Sequence, residues 1–100
     1  MDESIKKLKL KYEVKLMKHG FYFLDVVSYN ERYEFLEYKN KKGSEDLLNS
    51  IVRIWKDNQT DNTSADLILE NGKKYKHLSI KELFALLEEI ENTGKIPLWV

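Results

Sequence analysis

The stretch that decides the fold is residues 6–17, KKLKLKYEVKLM. Leu8, Leu10, Tyr12, Val14 and Leu16 hold alternate positions, and Lys7, Lys9, Lys11, Glu13 and Lys15 hold those between. Successive side chains along a strand point to opposite faces, so the alternation predicts one long strand with a buried face and a wet face. A helix would scatter the same lysines around its axis. The strand reading therefore sets up a sheet that begins at the N-terminus and carries lysine on its solvent side.

From there the chain reads outward as a meander. His19 and Gly20 make a turn, and glycine supplies any positive backbone angle needed there. FYFLDVV, residues 21–27, is apolar on both faces and rich in aromatic and β-branched types, which predicts an internal strand. SYNE turns again. In RYEFLEYK, residues 32–39, Tyr29, Tyr33 and Leu36 would also line a short helix, but the aromatic density favours a third strand that KNKKG ends.

SEDLLNSIVRIWKDN, residues 44–58, predicts the first helix. Ser44 can cap it, Glu45 and Asp46 fall in its first turn, and Leu47, Leu48, Ile51, Val52 and Trp55 make an apolar stripe. DNQTDNTS, residues 57–64, is a polar loop. Asn71-Gly72 marks a hairpin between residues 66–70 and 73–77. A two-residue turn would set Leu69 against Lys74, Ile68 against Tyr75 and Leu67 against Lys76. Lysines at 73, 74 and 76 place the second strand at the sheet edge, where charge discourages further pairing. Ser79 and Glu82 form a capping box for the second helix, with Leu78 and Leu83 as its hydrophobic staple. Ile80, Leu83, Phe84, Leu87 and Ile90 make its core face, and Gly94 is placed to stop it.

The expected fold class is α+β: a two-layer sandwich with a mostly antiparallel sheet, order β-β-β-α-β-β-α, and both helices on one face. Residues 1–100 make one domain, with 94–100, GKIPLWV, as an apolar extended tail. Pro97 lacks an amide donor and keeps that tail out of a central strand.

Composition narrows the function classes. The 17 basic and 17 acidic residues cancel to a net charge of +0, against the strong positive excess usual for non-specific nucleic-acid binders. The chain has no cysteine, which excludes disulfides, a thiol nucleophile and thiolate-ligated metal, and fits a reducing, cytoplasmic setting. MDESIKKLKLKYE is not a signal peptide, and no run of apolar residues is long enough to cross a membrane. His19 and His77 have no ligand-spaced companions, so no metal is expected. No Gly-x-Ser-x-Gly elbow and no glycine-rich phosphate loop occurs, so neither a catalytic constellation nor a cofactor is expected. Asp25 interrupts an apolar strand and is expected on the wet face beside Lys9 or Lys11.

The surfaces carry the most information. Lys7, Lys9, Lys11 and Lys15 would stand about 7 Å apart along one strand face. Tyr22, on the next strand, alternates with Phe21 and Phe23, and one of these sets would lie beside the lysines. In the tail, Ile96, Leu98 and Trp99 either close the core or meet another chain, and tryptophan is common at such contacts. These eight residues are the candidate interaction surface. The expected function is that of a small non-catalytic accessory or regulatory protein acting through contact with a protein partner or a second copy. Single-stranded nucleic-acid binding through a lysine and aromatic sheet face is the alternative. A small enzyme whose pocket is lined by Asp25, His19 or His77 is third.

Overall fold

The structure is a computed structural model that describes residues 3–93. Gly94, Ile96, Leu98 and Trp99, and with them the expected tail and helix stop, lie outside the described residues.

Among the described residues two helices and five strands follow in the order α1 (Glu3–Lys18), β1 (Phe21–Ser28), β2 (Tyr33–Asn40), β3 (Ile51–Asp57), β4 (Thr63–Ile68), β5 (Lys74–Leu78) and α2 (Ile80–Thr93). The strands form one antiparallel sheet in sequence order, β1-β2-β3-β4-β5. The α+β class, the antiparallel sheet and the second helix are as expected. Two elements of the expected order are not.

The first correction is residues 6–17, which are helical. A period-two apolar set splits on a helix into two rows four residues apart. Leu8, Tyr12 and Leu16, with Ile5, turn inward, and Ile5 and Leu16 are fully buried. Leu10 and Val14, with Met17, emerge on the opposite side, at 66%, 65% and 44% exposure. Lysine, leucine, glutamate and methionine are also strong helix formers and weak strand formers. The second correction is residues 44–58, expected to be one helix. Residues 45–49 form only a turn, in which the Leu47 and Leu48 amides donate to the Ser44 carbonyl. Asn49 then takes a φ of 65°, and the chain leaves as β3 with strictly alternating burial. Ser44 caps no helix, and its buried hydroxyl has no hydrogen-bond partner among the described residues.

Both helices cover the same face of the sheet. Facing them are Phe21, Phe23 and Val26 of β1, Leu36 and Tyr38 of β2, Val52 and Ile54 of β3, Ala65 and Leu67 of β4, and Tyr75 and Leu78 of β5. These pack with Ile5, Leu8 and Leu16 of α1 and Leu83, Phe84, Leu86, Leu87 and Ile90 of α2 in one core. Tyr12 meets Phe84 across the helices at 6.3 Å between ring centroids, and His19 Nδ1 lies 2.8 Å from Glu91 Oε1. β1 is therefore an edge strand and not an internal one. A bulge at Leu24, between the pairs Phe23–Tyr38 and Asp25–Glu37, switches its alternation, so that Val26 joins Phe23 on the core face and Asp25 turns out.

The turns explain the register. Gly72, at a φ of 90°, closes a three-residue loop in which the Leu69 amide donates to the Lys73 carbonyl. A glycine in the left-handed region at the last loop position is the form that three-residue hairpins take. The extra loop residue moves the expected pairing by one. Tyr75 opposes Leu67 and turns into the core, and Lys74 opposes Ile68. The sheet edge at β5 and the interior place of β4 are as expected. So is the capping box: the Glu82 amide donates to Ser79 Oγ at 3.0 Å, and the Ser79 amide donates to Glu82 Oε1 at 2.9 Å.

Asn40, fully buried, ties three segments together. Its Nδ2 donates to the His19 carbonyl at 2.9 Å, and its Oδ1 accepts the Gly43 amide at 2.7 Å. Its own amide donates to the Ser50 carbonyl. Gly20, at a φ of 86°, sits so close to this loop that a Cβ there would fall 2.7 Å from the Gly43 nitrogen.

Candidate binding cleft on the open sheet face

The face of the sheet turned away from the helices carries no helix among the described residues. Strand registry arranges it in rows. Val27, Phe35, Trp55 and Ser64 form one row, and Asp25, Glu37, Arg53 and Asp66 form the next. A third row runs Tyr22, Lys39, Ile51, Ile68 and Lys74.

Aromatic rings dominate the first row. Phe35 and Trp55 lie 4.5 Å apart, and Tyr29 meets Trp55 edge to face at 5.5 Å. Tyr29 itself is 67% exposed. Arginines lie over two of the rings on this side: Arg53 over Phe35 at 5.1 Å and Arg32 over Tyr33 at 5.2 Å. Each is also bound to a carboxylate. Arg53 Nε donates to Glu37 at 2.9 Å, and Arg32 grips Asp57 with Nε and Nη2. The Arg32 hydrogen bond is the main reason that the Asp57 carboxyl falls from an ordinary 3.8 to about 2.

Beside these rings opens a cleft of about 530 Å³, lined on its walls by Tyr29, Tyr33 and Trp55 and elsewhere by Asp57, Asp66 and Lys76. Asp66 is 6% exposed. Its Oδ2 accepts the Trp55 indole N–H at 2.8 Å, and its Oδ1 accepts the His77 amide at 3.1 Å. The second bond comes from a bulge. Between the pairs Ala65–Leu78 and Leu67–Tyr75, Asp66 alone faces both Lys76 and His77. His77 takes a φ of 60°, a left-handed conformation unusual for a residue with a Cβ, and the Asp66 side chain receives its amide in place of a ladder carbonyl. Non-glycine strain of this kind gathers at functional positions. The bulge thus brings Lys76 and His77 together at the cleft.

The expected lysine surface is not a row on the sheet. Lys7, Lys9, Lys11 and Lys15 all stand on α1, in the other layer. Lys9 pairs with Glu13 at 2.8 Å and lies over Phe23 at 4.7 Å. Lys15 lies over Phe84 at 4.3 Å and Lys11 over Tyr12 at 5.4 Å. These lysines roof the edge of the core with their stems, as long cationic side chains do. Lys7 is exposed on the outer side of the helix. Tyr22 is on the open face, opposite Lys39, two rows from Trp55. Asp25 is exposed on that face too, taking the Val26 amide on its own carboxylate, in a row with Arg53 and not beside Lys9 or Lys11.

The expected helix over residues 44–58 puts Trp55 in the wrong layer and hides the residues that make the cleft. The signal is the density of β-branched and aromatic residues in IVRIWKD, where Ile51, Val52, Ile54 and Trp55 fall within five positions. Reading it as a strand sets Arg53, Trp55 and Asp57 on one face. Among the described residues no group of three or more acidic or histidine side chains is placed to hold a metal, and no helix is long and apolar enough to cross a membrane. Compared with protein-family models, curated proteins and solved structures, the chain matches none.

Proposed function

We propose that this chain is a small non-catalytic accessory or regulatory protein that holds a protein partner against the open face of its sheet. The observation that supports it is the ring cluster of Tyr29, Tyr33, Phe35 and Trp55, set beside a cleft on a face that no described helix covers. Tryptophan, tyrosine and arginine are the residues that carry most binding energy at protein interfaces, and all three meet here. The nucleic-acid reading is weaker, because the lysines of α1 are in the other layer and this face alternates Asp25, Glu37, Asp57 and Asp66 with its cations. A phosphate backbone would meet those carboxylates. A cytoplasmic setting goes with the proposal, in keeping with the lack of cysteine. Self-association is one form the contact can take.

The test is partner capture by four variants. Trp55→Ala and Tyr29→Ala should release the partner, while Lys7→Glu and Lys11→Glu, on the far layer, should retain it. Release by the lysine variants with retention by the aromatic ones would reject the open face as the contact.

A further inference from the structure

Asp66 is a buried carboxylate whose two recorded partners are both neutral. Among the described residues no cation forms an ion pair with it. Arg53, its cross-strand neighbour, is committed to Glu37 and Phe35. Burying an anion without a cation is costly, and neutral donors offset only part of that cost. Each Asp66 oxygen accepts one recorded bond and keeps acceptor capacity for another. Of the charged residues lining the cleft, Asp57 is already held by Arg32, and Lys76 is exposed.

The rings point to the same ligand class. Donating its N–H to a carboxylate fixes the plane of the Trp55 indole and makes its π-face richer in electrons. Indole is the best of the aromatic faces for a cation. The chain's own guanidiniums already lie over Phe35 and Tyr33 on this face. A planar fork of donors matches a carboxylate with one free acceptor position on each oxygen, whereas an ammonium does not.

Building on the open-face contact, we propose that the cleft is a socket for an arginine side chain of the protein partner, stacked on Trp55, flanked by Tyr29 and paired with Asp66. Lys76 acts against it: its charge excludes weakly held cations and sets a threshold that only a well-stacked guanidinium passes.

Trp99→Phe leaves Trp55 as the only tryptophan, so its emission reports the cleft. The probes are a short capped peptide with arginine at its centre and the same peptide with citrulline or with glutamate there. The arginine peptide should give a saturable change, with affinity about tenfold or more above that of the uncharged citrulline peptide. Asp66→Asn should bring the arginine peptide down to the citrulline level, and Lys76→Ala should tighten it. A thermal melt of Asp66→Asn checks its fold; if it unfolds, the citrulline comparison and Lys76→Ala decide. Equal binding of arginine and citrulline, or preference for glutamate with loss on Lys76→Ala, would overturn the arginine socket and leave the open-face contact standing. Silence from all three peptides would also overturn the socket. The open-face contact is judged separately, by whether Trp55→Ala and Tyr29→Ala release the natural partner.

Discussion

Asn40→Ala should be among the most damaging single changes outside the apolar core. The side chain is fully buried and makes two hydrogen bonds, to the His19 carbonyl and from the Gly43 amide. Truncation leaves two backbone groups short of a partner, at about 1–3 kcal/mol each, for a total of about 2–6 kcal/mol. That is a large share of the roughly 5–15 kcal/mol that holds a domain together. It should lower the melting temperature by roughly 10–30 °C. Urea melts followed by circular dichroism should show a lower midpoint with an unchanged slope. A second substitution makes the reasoning stricter. A Cβ on Gly43 would lie 2.5 Å from Asn40 Oδ1, so Gly43→Ala alone should cost about 1–3 kcal/mol by overpacking. With Asn40 already cut to alanine the obstruction is gone. The double variant should therefore lose less than the two single losses added together. Additivity within about 0.5 kcal/mol, or a cost for Asn40→Ala under about 1 kcal/mol, would refute the tie.

Tyr38→Phe should leave stability unchanged or raise it by about 1 kcal/mol in the same melts, because the buried hydroxyl has no hydrogen-bond partner among the described residues. Burial, then the Glu13 charge, pushes that phenol up to about 12 from 10.0. The neutral phenol carries no ionisation penalty below pH 10, and the fold loses stability as pH rises from 10 toward 12; the Phe variant should lack this alkaline loss, read by melts across that range. For Asp57 the sign is opposite. With its carboxyl held at about 2 against an ordinary 3.8, its contribution is present above about pH 4 and is lost as pH falls toward 2. Arg32→Ala should return the carboxyl toward its ordinary range in an NMR titration, and an unmoved value would show that Arg32 is not the cause. Ser79→Ala should cost about 1 kcal/mol by removing the α2 cap, and a neutral result would contradict the capping box.

Much of the sheet and the second helix was legible. Ser79 and Glu82 mark the start of α2 with side chains that act locally, so no distant contact can override them. The lysines of β5 mark an edge for a similar reason. The errors share a different physics. In residues 6–17, alternation and the helical row Ile5, Leu8, Tyr12, Leu16 coexist, and only the sheet beneath decides which row is buried. In residues 44–58, a capping-like Ser44 and a leucine pair begin a turn that Asn49 ends. Beyond it, the β-branched run of β3 finds partners on both sides, which a local helix stripe cannot foresee. The cleft was illegible for that reason. Trp55 and Asp66 are eleven positions apart and meet only through the β3–β4 register, and His77 reaches Asp66 only through a bulge.

The central claim is that the open sheet face, and not the lysine-bearing helix, meets the partner. Photo-crosslinking tests it most directly, with the reactive side chain placed at position 62, which lines the cleft, or at position 10 on the outer side of α1. The account predicts a crosslinked partner from position 62, lost on Trp55→Ala, and none from position 10. Crosslinks from position 10 alone would contradict it.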